Sequence, residues 1–445
     1  MNQEAITDAR QLGVPKMLLL GLQHMFAMFG ATILVPAITG LSISATLLFA
    51  GLGTLLFHLI TGRKVPAFLG SSFAFLGAYG LVTASGTEIP LTYSSFGVAC
   101  AGLLYLVLAL LFKVFGAQKV MRFFPPIVTG PVIIAIGLTL SQSAVDNCSG
   151  NWLVALVAIL VVIIFNIWGK GMLKIIPILL GVVASYVFSM IVDPASRATL
   201  VEQVSEAAWI GLPVRWNDTA LSIFGEGFDG GMLITAIITI MPIALATMVE
   251  HIGDICAISS TVGQNFVADP GLHRTLTGDG LATTIAALFG APANTTYGEN
   301  TGVLALSKVY DPRVIRLAAV FAVVLSFCPK FAAVIAAMPA ATIGGVSLVL
   351  YGMISAVGVR NVVENQVDFT KSRNVIIAAL ILVLSIGIKY SAAGAITFPI
   401  GSITISLSGL AVAALVGIIL NAVLPGKDYE FQKDAEGSKA VNFKV

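Results

Sequence analysis

A chain of 445 residues in which 57% are hydrophobic and only 10% charged lacks the polar surface to face water on all sides; soluble domains carry about 25% charged residues. The composition therefore excludes a water-soluble globular protein and places the chain in a lipid bilayer. A formal net charge of +2 gives no basis for a nucleic-acid partner.

Residues 1–16 are polar and mixed in charge, without the basic start and small-residue cleavage site of a signal peptide. About fourteen apolar segments follow, near 17–38, 42–61, 66–84, 93–115, 124–142, 152–168, 172–192, 231–258, 275–291, 294–307, 313–337, 339–357, 374–391 and 401–424. Most are near or below the ~20 residues of a bilayer crossing. With the N-terminus inside and sides alternating, all of the 24 Lys and Arg except Arg197, Arg215, Lys330 and Lys389 fall on the cytoplasmic side. This is the bias expected of cytoplasmic loops, so both termini are predicted to be cytoplasmic. The long outer stretch near 193–230, with Glu202, Glu206, Asp218, Glu226 and Asp229, reads as a solvated loop.

Cys100, Cys148, Cys256 and Cys328 form no CxxC pair and read as small buried hydrophobes. No metal site, cofactor or nucleophile–base pair is expected, which argues against an enzyme. The 44 glycines suit closely packed membrane helices.

The chain repeats itself weakly. Ser71-Ser72-Phe73-Ala74 resembles Thr295-Thr296-Tyr297-Gly298, and the stretch from Pro125 to Val132 resembles that from Pro339 to Val346, in the same order. Seven segments per half, an odd number, require opposite insertion of the two halves, and inverted repeats are typical of transporters.

The third and tenth segments are poor helices. In the tenth, Asn294-Thr295-Thr296-Tyr297-Gly298 favours extended backbone, and the residues that remain to Lys308 span only about half a crossing at ~1.5 Å each. The expectation is a short extended stretch entering a half-helix, tolerated only where it is buried or lines a cavity. Half-helix N-termini expose unpaired N–H groups and a positive dipole end. Two of them, near Phe73 and Gly298, would suit a ligand rich in carbonyl oxygens.

Glu250, His251, Asp254 and Glu299 are the intramembrane ionisable residues singled out as functional candidates. Glu250 and Asp254, four apart, share a helix face, and His251 points elsewhere. A carboxylate in a partly dry cavity has a raised pKa and can exchange a proton near neutrality. His24 is read as a group that orients a neighbour, and His58 as a packing residue.

At these residues the chain resembles the nucleobase–ascorbate transporter family, closest to its bacterial uracil permease branch. The resemblance runs from about 17 to 425. It rests on the run from Gln23 to Thr32, on Gly70-Ser71-Ser72-Phe73-Ala74-Phe75, on Glu250-His251-Ile252-Gly253, on the run from Asp269 to Arg274, and above all on Asn294-Thr295-Thr296-Tyr297-Gly298-Glu299-Asn300. It implies an all-α polytopic fold of fourteen segments in two inverted repeats of seven, with short antiparallel strands in segments three and ten. It implies a core (17–117 and 230–337), a gate (118–229 and 338–425), a cytoplasmic tail (426–445), a homodimer in the plasma membrane and elevator-like movement.

The resemblance also implies roles. Glu250 and Glu299 would bind uracil through their carboxylates, and Phe73 and Gly298 through backbone amides, with Tyr297 and Tyr351 lining the site. A proton would be the coupled ion, carried by Asp254 or Glu250. One departure matters: the uracil branch has a histidine where this chain has Asp254, as purine-transporting relatives do. Those relatives usually carry glutamine in place of Glu299. A proton-coupled uracil permease is therefore the expectation, with a purine or xanthine symporter as the alternative.

Overall fold

The computed structural model describes residues 5–79, 88–225, 227–392, 394–400 and 403–426. Glu226 and most of the expected tail lie outside them. Helices α1 (Val14–Thr39) and α2 (Ile43–Ile60) open the bundle. α1 stops where Gly40 turns left-handed, and Ser42 then caps α2 by accepting from the Ala45 amide at 3.2 Å. Strand β1 (Leu69–Ser71) leads into a short 3-10 helix, Phe73–Ala78. Next come α3 (Leu91–Phe115), α4 (Ala117–Met121), α5 (Pro126–Ser149), α6 (Trp152–Trp168), α7 (Met172–Ile175), α8 (Pro177–Val192) and α9 (Pro194–Glu206).

The second half begins with α10 (Gly230–Ile240), which continues through one 3-10 turn into α11 (Ala244–Val262). After α12 (Leu272–Leu288), strand β2 (Asn294–Thr296) enters α13 (Gly298–Ser307). The chain ends with α14 (Pro312–Ser326), α15 (Pro329–Ala336), α16 (Ala340–Glu364), α17 (Ser372–Lys389), a hairpin of β3 (Ala395–Ile400) and β4 (Ile403–Ser408), and α18 (Gly409–Val423).

Among the described residues, seven helical stretches are long and apolar enough to cross a membrane: α1, α2, α3, α5, the joined α10–α11, α16 and α17. The count reaches nine if the bent pairs α8–α9 (112°) and α14–α15 (88°) are each one span. The chain is a multi-pass membrane protein.

Three expectations are refined by local chemistry. The stretch expected to be a solvated loop is not wholly irregular: Asp193 caps α9, a helix with no buried residue. The eleventh segment bends at Phe327 and Cys328, because Pro329 offers no N–H and its ring clashes with the preceding turn. The fourteenth begins as strand β4, where Ile403, Thr404 and Ile405 favour extended backbone, and becomes helical at Gly409.

The helices pack in reciprocal pairs. α2 lies on α14 and α12 on α3; α1 meets α14 and α10 meets α3; α6 meets α8 and α17 meets α18; α6 meets α16 and α17 meets α5. α5 crosses α16 along its length. Glycines permit the closest crossings. A Cβ added at Gly280 of α12 would stand 2.7 Å from the Gly102 oxygen of α3, and one at Gly358 of α16 would stand 2.7 Å from the Gly130 oxygen of α5.

Candidate functional site

β1 and β2 pair antiparallel, with Leu69 opposite Thr296, Gly70 opposite Thr295 and Ser71 opposite Asn294. All six residues are buried. The ladder extends by one bond at each end, from Ser72 N to Ala293 O (2.8 Å) and from Tyr297 N to Phe68 O (3.0 Å). A two-stranded sheet has two open edges, and a buried open edge leaves costly unpaired backbone groups. Side chains close them: Thr54 accepts from Leu69 N at 2.9 Å, and Thr283 donates to Asn294 O at 2.9 Å. The strands' own side chains tie the sheet to the bundle, Ser71 donating to Thr32 O of α1 and Asn294 to Phe49 O of α2, each at 3.0 Å. His58 Nε2 lies 2.8 Å from Ala67 O, a structural role for that histidine.

Each strand then turns into a helix. The 3-10 helix at Phe73 and the α-helix at Gly298 both start without a side-chain cap, so their first amides keep no intrahelical acceptor. The sequence suggested a half-helix at both places. Among the described residues the first is only six residues of 3-10 geometry, and the second is a ten-residue α-helix.

A cavity of about 440 Å³ opens beside these ends. Of the residues predicted from sequence, Phe73, Glu250, Asp254, Tyr297 and Gly298 line it. Glu250 and Asp254 reach it from one face of α11, and Asp254 Oδ2 accepts from Thr296 Oγ1 at 2.9 Å, which ties α11 to β2. Tyr297 Oη donates to Ser71 O at 2.9 Å. Tyr351, buried on α16, stands behind Phe73 with the rings 5.7 Å apart and nearly perpendicular. His24, buried on α1, is not in the lining. Asn300 Nδ2 lies 3.2 Å from its Nδ1 and donates to its backbone oxygen at 3.2 Å. The Glu299 side chain lies outside the described part of the structure, though its backbone begins α13.

The sequence reading missed two groups. Asp279, inside the ninth segment, is fully buried and lies 2.9 Å from His251 Nδ1. His251 thus points away from Glu250 and Asp254 toward α12. The rule that flagged the other carboxylates applies equally to Asp279, so this one was legible. Asn166, Lys174, Ile178, Met353 and Arg360, which also line the cavity, were not. They come from α6, α7, α8 and α16, and only packing brings them there. A second cavity of about 360 Å³ adjoins the first, sharing Ile133, Asp254, Val357 and Arg360, and reaches Glu364 and Asn365 at the end of α16.

Apolar helices packed around a buried pair of short strands, beside a cavity that carries both Glu250 and Asp254, are the architecture of a membrane permease. The model of the Permease family matches residues 15–394. The chain is 39% identical to the uracil permease of Bacillus caldolyticus over 436 residues, covering 96% of both chains. It is 39% identical to the uracil permease of Bacillus subtilis (strain 168), with 91% of each covered, and 35% identical to that of Escherichia coli (strain K12), with 95% of this chain and 94% of that one covered. The chain belongs to the nucleobase–ascorbate transporter family. Its fold is similar to the transmembrane domain of a cyanobacterial bicarbonate transporter, BicA (TM-score 0.56, 15% identity, 91% of this chain and 96% of that one). It is also similar to SLC26A9 (TM-score 0.58, 12% identity, 92% of this chain and 64% of that one).

Proposed function

We propose that the chain is a proton-coupled uracil permease that imports uracil across the plasma membrane. The observation that carries this is the convergence of the Glu250–Asp254 face and the uncapped start of α13 on one cavity. Uracil is neutral, with two ring N–H donors and two carbonyl acceptors. Glu250 and Glu299 accept from the ring N–H groups, and the amides of Gly298 and Phe73 donate to the carbonyls. The Phe73 ring, braced by Tyr351, packs near the pyrimidine, Tyr297 shapes the wall, and His24 steadies α13 through Asn300. A neutral substrate needs no counter-charge, so a co-transported proton sits on Asp254 or Glu250. The relatives named uracil permease support the substrate.

The architecture is read as fourteen segments in two inverted repeats of seven. The reciprocal helix contacts support it: exchanging each segment for its counterpart seven places on turns α2–α14 into α12–α3, α1–α14 into α10–α3, α6–α8 into α17–α18 and α6–α16 into α17–α5. The β1–β2 and α5–α16 pairs map onto themselves. A core of 17–117 and 230–337 then slides as an elevator against a gate of 118–229 and 338–425, in a homodimer with both termini and the 426–445 tail cytoplasmic. The cavity reaches Lys174 and Arg360, on the side read as cytoplasmic, which supports reading this as an inward-facing form.

Uptake of labelled uracil into proteoliposomes tests the reading. Glu250→Gln removes a charged acceptor worth ~1.5–3 kcal/mol, so the affinity should fall about 10–150-fold. Unchanged affinity removes Glu250 from the site. Uptake that ignores a protonophore sinks the coupling, and competition by xanthine but not uracil selects a purine carrier instead.

A further inference from the structure

We propose that the N-terminal segment, residues 5–12, is a positioning strap that holds α13 in register with the cavity. This rests on the reading that Gly298 at the start of α13 meets the substrate. α13 is ten residues long, and isolated helices shorter than ~12 residues are marginal. Two of its residues, Gly298 and Gly302, are glycines that face the cavity, where an added Cβ would meet nothing within 4 Å. Glycine is a poor helix former, and an open cavity gives no packing. The rest of the helix, with Val303 and Leu304 buried, packs against α1 and α11, and ties at its ends add to that packing in fixing its place along its own axis.

Both end ties come from the beginning of the chain. In the first turn, Asn300 bonds to His24 of α1. In the last, Lys308 turns left-handed (φ 53°) and ends the helix, and there the strap docks. Ile6 pairs in parallel with Val309: its amide donates to Lys308 O at 2.8 Å, and its carbonyl accepts from Tyr310 N at 2.8 Å. The Ala9 amide donates to Asp311 Oδ2 at 2.7 Å. Arg313 Nη1 donates to both Asp8 Oδ1 and Asp311 Oδ2 at 3.0 Å. Beneath these bonds, Ala9 packs with Val309 and Val314 in a small apolar cluster joined by Ile6, Leu12, Met17 and Leu20. Asp311, which accepts from the strap, also caps α14 by accepting from Arg313 N at 2.9 Å. The strap thus grips the short link between the two helices. A terminus that merely covered the surface would have no need to pair with the residues that end α13.

The test uses the full-length protein, a variant lacking residues 1–12, and Ile6→Pro, which removes the donor to Lys308 O. Uracil uptake kinetics in proteoliposomes are read beside amide hydrogen exchange over 298–307 and 244–262 and the thermal midpoint. The expected result is a KM raised about tenfold, the equivalent of one or two lost hydrogen bonds. Exchange should quicken over 298–307 alone, with Vmax, midpoint and 244–262 unchanged. Unchanged exchange over 298–307 overturns the strap, and so does faster exchange everywhere with a lower midpoint, which marks a general stabiliser. Glu250→Gln serves as the control. If it loses uptake while the strap variants keep the wild-type KM, the strap has no positioning role; if it transports as wild type, the cavity reading fails and the exchange result alone judges the strap.

Discussion

Gly70 has no side chain because Tyr297 occupies the space. A Cβ there would stand 2.5 Å from two carbons of the Tyr297 ring and 2.7 Å from Thr32 Oγ1. Gly70→Ala must therefore push the ring, break its bond to Ser71 O and disturb the turn into Gly298. Overpacking of this kind costs ~1–3 kcal/mol, and uracil uptake should fall about tenfold or more; wild-type uptake by Gly70→Ala would show that the ring position is not critical. Asp8 allows a prediction about pH. The Arg10 side-chain hydrogen bond, aided by the Arg10 amide, holds its carboxyl at about 2. A carboxylate depressed on folding contributes above its ordinary value of ~3.9 and loses that contribution as pH falls through the folded value. Between pH 5 and 8 the Asp8 contact is therefore constant, and Asp8→Asn should leave the shape of the uptake–pH profile unchanged. The residues of the site differ in how far sequence reveals them. Glu250 and Asp254 are visible because a spacing of four puts them on one helix face. Lys174 and Arg360 have no such relation to each other or to the acids.

At the scale of elements, the broken third and tenth segments could be read from threonines and glycines that disfavour helix, because turn and strand chemistry is local. The partner of each strand could not. β1 and β2 are separated by more than 200 residues, and the side chains that close their edges, Thr54 and Thr283, look like ordinary polar residues in apolar runs. The β3–β4 hairpin escaped because a short apolar run suits strand or helix equally. The α3–α12 crossing carries the next prediction. A Cβ at Gly280 would meet the Gly102 oxygen at 2.7 Å and the Tyr105 Cβ at 2.5 Å. Gly280→Val should lower stability by about 1–3 kcal/mol, read as a lower thermal midpoint in detergent. An unchanged midpoint would mean that the two helices can separate at no cost.

For the molecule as a whole, the orientation of the cavity is the property to test. Arg360 lines both cavities and its side chain is 73% exposed. With Cys100, Cys148, Cys256 and Cys328 replaced, Arg360→Cys should react with a membrane-impermeant thiol reagent in inside-out vesicles and resist it in right-side-out ones. Labelling in right-side-out vesicles alone would reverse the assigned orientation. The sequence by itself determined residence in the membrane, the positions of the apolar segments and the two places where helix fails, since hydropathy and backbone preference depend on neighbouring residues. Only the tertiary structure decided that the two breaks pair as one sheet, that Asp279 answers His251, and that the acids of α11 share a cavity lining with Lys174 and Arg360. Those relations are set by how helices far apart in the chain pack, which no local pattern encodes.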